Sequence, residues 1–209
     1  MKPLMSWAVI VMVVAAALAA ARPQAEQFTI TDLGTLGGNF SRAKAINDRG
    51  QIVGESASAA GATRAVLWED GKMIDLGTLP GGTFHTARAI NIRGQIVGET
   101  NAILWEDDKI TDLGTLGGRH SFPFAINDHG QVVGASITAA GEFHAFLWEK
   151  GKMIDLGTLP GGDQSQAADI NNRGQIVGRS SAVSGKIYAV GPPRDPEGGP
   201  ARAVLWTKK

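Results

Sequence analysis

Asp75–Gly82 reads DLGTLPGG, and Asp155–Gly162 repeats it letter for letter. A shorter form, DLGTLGG, begins at Asp32 and again at Asp112. An acidic residue ahead of glycines invites two readings: a cation or phosphate loop, or the joint of a repeated fold. The surroundings of each copy decide between them. After every DLGTL comes Ala-Ile-Asn or Asp-Ile-Asn, beginning at residues 45, 89, 125 and 169. GQIVG or GQVVG follows, from residues 50, 94, 130 and 174, and then Leu-Trp, from residues 67, 104, 147 and 205. Four signatures in one order, four times over, mark a repeat protein.

The copies come in pairs. The four aspartates are separated by 43, 37 and 43 residues, so two repeats span 80, as do Gly50 to Gly130 and Trp68 to Trp148. Duplication of a two-repeat unit accounts for this. The last unit is 21 residues longer, and the excess lies in SGKIYAVGPPRDPEGGPA (Ser184–Ala201). That stretch reads as a Gly/Pro-rich surface loop that tolerates trimming.

Each repeat offers four short apolar runs bounded by Gly, Asn and Asp, with no sustained helical period. They are KMIDLGTL, ARAIN, GQIVGE and AVLWE. NDRG, NIRG, NDHG and NNRG read as turns joining the AIN strand to the GQIVG strand, opened by Asn and closed by Gly. EDGK and EKGK read as two-residue hairpins joining the LW strand to the next DLGTL strand. So tight a hairpin keeps those two strands in one sheet. The strand order within a sheet is then AIN–GQIVG–LW–DLGTL, and the TLGG or TLPGG link crosses to the next sheet.

These features predict an all-β, four-bladed β-propeller. The chain begins with an unmatched DLGTL strand, Phe28–Leu36, and ends with an unmatched LW strand. Pairing them completes the last blade, closes the ring and hides two sheet edges. The alternative is an open repeat array that closes by dimerisation. Residues 22–209 form one domain: strand 28–36 plus repeats at about 45–76, 89–113, 125–156 and 169–206. Residues 1–21 carry Lys2, an apolar run and Ala19-x-Ala21 before Arg22-Pro23, the layout of a secretory signal peptide, with an uncleaved membrane anchor as the competing reading. The mature chain is expected to be secreted, periplasmic or at the cell surface. It has no cysteine, so it must hold together without disulfides.

The 209 residues are 43% hydrophobic and 19% charged, with net charge +0, which argues against a nucleic-acid partner and against disorder. At FHAFLWEKGKMIDLGTL (Phe143–Leu159) the sequence resembles the HAF-repeat family of probable extracellular repeat proteins, the name matching His144-Ala145-Phe146. The AIN, GQIVG and DLGTL elements extend the likeness across the mature chain. The other copies read Arg64-Ala65-Val66, Asn101-Ala102-Ile103 and Arg202-Ala203-Val204. The resemblance implies secretion and a repeat fold, and brings no catalytic residues with it.

For the recurrent Asp32, Asp75, Asp112 and Asp155, the structural reading is that each accepts hydrogen bonds from its own Gly turn; a carboxylate ring around a cation is the alternative. Asn47, Asn91, Asn127 and Asn171 read as turn openers. Trp68, Trp105, Trp148 and Trp206 read as packing between blades, with a sugar platform as the alternative. The histidines His85, His120, His129 and His144 show no metal-motif spacing, and there is no GxSxG elbow. No catalytic set, metal site or cofactor is expected. The candidate ligand-binding residues follow the double glycines and differ between repeats: Asn39, Arg42, Phe84, His85, Arg119, His120, Asp163 and Gln164. The expected function is a secreted, non-enzymatic binding or structural module for an extracellular protein or glycan. The alternative is a propeller hydrolase acting on extracellular polysaccharide.

Overall fold

The computed structural model describes residues 28–79, 86–99, 101–182 and 201–207. By its own contacts the chain divides into Met1–Asp32 and Leu33–Lys209. Of the first unit only 28–32 are described, and they form no regular element. The second is all-β, with four antiparallel sheets and no helix among the described residues. Sheet 1 has the order β1 (Gly37–Ile46), β2 (Ile52–Ser58), β3 (Thr63–Glu69), β4 (Lys72–Asp75). Sheet 2 repeats it with β5 (Thr86–Ile90), β6 (Ile96–Glu99), β7 (Ile103–Glu106), β8 (Lys109–Asp112). Sheet 3 does so with β9 (Gly117–Ile126), β10 (Val132–Thr138), β11 (Phe143–Glu149), β12 (Lys152–Asp155). Sheet 4 has three strands, β13 (Ser165–Ile170), β14 (Ile176–Ser181) and β15 (Ala201–Trp206). The AIN–GQIVG–LW–DLGTL order is therefore the order observed.

The hairpins follow from local backbone chemistry. Asp70-Gly71 and Lys150-Gly151 take positive φ at both turn positions, as a two-residue turn between twisted strands demands. Asp107-Asp108 does so without glycine, at φ 48° and 60°. The last glycine of GQIVG has a different duty. A bulge in the neighbouring strand brings its carbonyl so close that a Cβ on Gly54 would lie 1.9 Å from Arg42 O, and one on Gly134 2.0 Å from Phe122 O.

The DLGTL strand is shorter than its apolar run predicts. It ends at the aspartate in β4, β8 and β12. Asp75, Asp112 and Asp155 turn their Oδ1 onto the N–H of Gly77, Gly114 and Gly157, at 2.9, 2.8 and 2.7 Å. Each of these glycines has positive φ, so the chain leaves the sheet there. The threonine that directly follows this glycine clamps the bend: Thr35, Thr115 and Thr158 donate to the carbonyls of Gly38, Gly118 and Gly162. The following leucine is anchored in turn. Leu36, Leu116 and Leu159 donate their N–H to Ser56, Ser136 and Ser180, each in the GQIVG strand. The Asp, Thr and Leu hydrogen bonds of the motif thus serve the crossing between sheets.

Three apolar cores hold the sheets face to face. Val53 and Ala65 of sheet 1 pack with Ala87, Ile90, Ile96 and Trp105 of sheet 2. Val97 and Leu104 of sheet 2 pack with Ile126, Val132, Phe146 and Trp148 of sheet 3. Val133, Ala145 and Leu147 of sheet 3 pack with Ala167, Ile170, Ile176 and Trp206 of sheet 4. Each sheet has a leading face carrying Val and Leu and a trailing face carrying Ile and Trp. Trp105, Trp148 and Trp206 therefore pack between sheets. Trp68 Nε1 donates to Leu33 O at 2.9 Å, and Trp206 Nε1 to Leu156 O at 3.1 Å.

Two expectations differ from what is observed. Residues 28–35 lie in no strand and β15 pairs only with β14, so sheet 4 has three strands among the described residues. Phe28 is 88% exposed and Ile30 fully so; two apolar side chains offer too little burial to order an unpaired strand. The second correction concerns the residues after the double glycine. In sheets 1 and 3 they are not loop, because β1 and β9 begin at the glycines themselves. Gly38 and Gly118 allow this: a Cβ there would lie 2.5 Å from Ala57 Cβ and Ile137 Cγ2 of the paired strand. The long loop over Ser184–Ala201 falls outside the described residues except at Ala201, the first residue of β15.

Candidate functional site

The two ends of the sheets differ. At one end lie the Asn-x-x-Gly turns, and they converge. Asn127 Oδ1 accepts the N–H of His129 and of Gln131, at 3.0 and 3.1 Å. Its Nδ2 donates to Gln131 Oε1 at 2.6 Å and to Asn171 O, in the next sheet, at 3.0 Å. Asn91 reaches Asn127 O and Asn47 reaches Asn91 O in the same way, both at 2.9 Å. The asparagines are turn openers, as their sequence context predicts, and also staples from each sheet to the next. Gln51, Gln95 and Gln131 extend each staple outward to Glu69, Glu106 and Glu149.

Together the four turns wall a cavity of about 370 Å³, with Ile90, Ile126 and Ile170 beneath the asparagines and Asp48, Asp128 and Asn172 around it. Asp128 is tied by Asn172 Nδ2 at 2.7 Å and by Ile92 N–H at 3.1 Å. The Asn172 amide, then the Ile92 N–H, hold its carboxyl below the ordinary value near 3.8. It stays ionised and serves as an acceptor, not as a proton donor. The sequence around any one asparagine describes only its own turn and does not show this convergence. The signal was there: one asparagine per repeat, at one place in the repeat, must gather wherever the repeats gather.

At the other end lie the sequence-predicted site residues. Asn39 and Arg42 stand exposed on β1, Arg119 and His120 on β9, and Asp163 and Gln164 just before β13. Phe84 and His85 fall outside the described residues. Arg42 lies over the Phe40 ring at 4.8 Å and pairs with Glu55 at 3.0 Å. His120 Nδ1 meets Asn101 Oδ1, in the loop of the preceding sheet, at 3.1 Å, and its ring lies 6.4 Å from that of Phe122. Asp163 Oδ1 accepts the Ser181 hydroxyl at 3.1 Å. These contacts stay within one sheet or reach the adjacent one. They do not gather the residues into one constellation.

Asp75 and Asp155 also pair with Arg64 and His144, at 3.0 and 2.8 Å. Among the described residues no three of His, Asp or Glu come together in a way that could hold a metal ion.

Glu55 is the most buried carboxylate of this end, its side chain only 8% exposed. Burial pushes its pKa up, but the Thr86 hydroxyl at 2.6 Å, the Arg42 guanidinium and Lys44 outweigh that and hold it below the ordinary value near 4.5. Its stabilisation is therefore complete above about pH 4.5 and is lost as pH falls through the lower folded value. Thr86→Val should cost about 1–3 kcal/mol near neutral pH, since it takes a hydrogen bond from a buried carboxylate that Arg42 and Lys44 only partly satisfy. The gap to the parent should shrink as pH falls through the lowered folded value of Glu55, where the carboxylate protonates. Urea denaturation at several pH values measures this; a pH-independent gap would show that Thr86 acts by packing alone.

Compared with protein-family models, curated proteins and solved structures, the chain matches none. Among the described residues no helix is long and apolar enough to cross a membrane.

Proposed function

We propose that this chain is a secreted, non-enzymatic binding or structural module, related to the HAF-repeat proteins, whose variable end contacts an extracellular glycan or protein. One observation carries the reading. At the Asn-x-x-Gly end the same side chains recur and are spent on holding sheets together, whereas at the other end the described repeats expose different polar residues, Asn39 and Arg42 on β1, Arg119 and His120 on β9, and Asp163 and Gln164 before β13. A hydrolase would need a carboxyl kept protonated as general acid, with a pKa raised above its ordinary value. Glu55 and Asp128 are both held the other way, so neither of these two is suited to be that acid.

The test is titration calorimetry of the purified chain against a panel of soluble extracellular polysaccharides. Binding that Asn39→Ala, Arg119→Ala and Gln164→Ala together abolish, and that Arg49→Ala at the opposite end leaves intact, supports the proposal. Release of reducing sugar, or binding lost only through Arg49, would overturn it.

The scaffold of this module is proposed to be a closed four-bladed β-propeller. Leu156 directly follows β12, the outer strand of sheet 3, and its carbonyl takes the indole of Trp206 in sheet 4. Leu33 takes the indole of Trp68 in sheet 1 in the same manner. The residues before Leu33, Thr29–Asp32, read TITD against KITD in β8. By this equivalence they form the outer strand of sheet 4, with Thr29 opposite Thr207 as Lys72 is opposite Glu69. A Thr29→Cys, Thr207→Cys variant should oxidise within one chain; failure to link, or linking only between chains, would refute this closure.

A further inference from the structure

We propose that the leading face of sheet 4 closes on the trailing face of sheet 1 of the same chain, and that Asn171 and Asn172 latch this seam onto Asn47 and Asp48. The inference rests on the closed ring proposed above; it does not depend on what the variable end binds.

The apolar halves of the seam are the halves of the internal interfaces. Val53, Val97 and Val133 are fully buried, each in one core with Ile90, Ile126 and Ile170 respectively. The next members of these two series are Val177 and Ile46. They are 47% and 65% exposed, and Leu205, the counterpart of buried Leu104 and Leu147, is 60% exposed. One end of the array thus presents only a leading face and the other only a trailing face. Two leading faces would set Val177 against Val177, a pairing that no internal interface uses, so the mate of sheet 4 is a sheet 1.

The polar residues continue the same rule. Along the array each asparagine amide donates to the carbonyl of the next asparagine, and Asn171 is the last donor. A second line runs beside it. Ile92 N–H donates to the Asp128 carboxylate, and Asp128 N–H donates to Asn172 Oδ1 at 2.9 Å. At the step from Asp48 to Ile92 the line has no side-chain acceptor, because isoleucine carries no oxygen. Continued past sheet 4, the first line brings Asn171 Nδ2 to Asn47 O and the second brings Asn172 N–H to the Asp48 carboxylate. Asp48 thereby acquires the structural task that Asp128 performs between sheets 2 and 3.

The occupant is the chain's own first sheet. Asn47 and Asp48 wall the same cavity as Asn171 and Asn172. A second copy would have to bring its own Asn47 into a space that the first copy's Asn47 already borders.

The absence of cysteine makes the test direct. An Ile46→Cys, Val177→Cys variant should form a disulfide within one chain under mild oxidation, read as a monomer of the oxidised mass. Val133→Cys, Ile170→Cys, the equivalent pair in the core between sheets 3 and 4, calibrates the reaction. Linking only between chains would assign the face to a second copy and overturn the proposal. No linking at the seam while the internal pair links would also overturn it. If Thr29→Cys, Thr207→Cys still links in that case, the outer strand stands and the seam alone falls. For the latch, Asp48→Ile, which copies sheet 2, should slow linking of the seam pair several-fold, whereas Asp48→Asn, which keeps an acceptor, should not. Equal rates for the two would remove Asp48 from the latch.

Discussion

Asn127→Ala is expected to destabilise the protein by about 3 kcal/mol, within a range of about 2–4. The residue is 3% exposed and its side chain makes four hydrogen bonds. Its loss leaves two backbone N–H groups, the Gln131 amide oxygen and the Asn171 carbonyl without this partner. Buried, each costs about 1 kcal/mol or more, and the cavity at the turn adds to the sum. Asp at this position restores the two acceptor bonds but puts a charge beside the Gln131 amide oxygen and the Asn171 carbonyl, so Asn127→Asp should recover little. Asn171→Ala tests the same chemistry in an exposed setting. There Arg173 N and Gln175 N turn to water, and the expected cost is about 1 kcal/mol. Guanidinium unfolding of the two variants measures the contrast. Similar losses at the two positions would mean that burial of the staple is not what makes it strong.

The contrast shows what a repeat sequence makes legible. The order of strands within a sheet could be read from turn lengths, because EDGK leaves no room for the LW and DLGTL strands to belong to different sheets. The role of Asp75 could be read from its neighbours, because the Gly77 N–H lies within reach of its own turn. Both are local consequences of φ and hydrogen bonding. What escaped the sequence was between repeats. The reach of Asn91 to Asn127 O depends on how two sheets splay, and no run of residues encodes that angle on its face. The same limit explains Thr86, which was not a candidate residue yet satisfies Glu55 across the gap between sheets 1 and 2. At the variable end the sequence placed Asn39 and Arg119 by their neighbourhood to glycine, but whether glycine bends the chain or lets a strand start depends on what lies opposite. Opposite Gly38 stands Ala57, close enough to forbid a Cβ, and so β1 begins there.

The second large effect is expected at Phe146. Fully buried between sheets 2 and 3, it stands where the other repeats place Val66, Ile103 and Val204. Phe146→Ala should cost about 3–5 kcal/mol, the usual loss for removing a packed aromatic ring and leaving its cavity. Phe146→Ile, the residue that sheet 2 uses, should cost about half as much, because a branched aliphatic fills part of the space. Gly134 faces the same ring: a Cβ added there would lie 2.9 Å from Phe146 Cε1. It would also lie 2.0 Å from Phe122 O, which no side-chain change relieves. Gly134→Ala is therefore expected to be strongly destabilising alone, and Phe146→Ala should not rescue it. If the ring were the main obstacle, the double variant would be more stable than Gly134→Ala. If the bulge carbonyl is the obstacle, the double variant is the least stable of the three. Unfolding midpoints at constant denaturant dependence decide between the two, and the geometry favours the carbonyl because it belongs to backbone fixed by the β9–β10 pairing, whereas a side-chain ring can rotate aside.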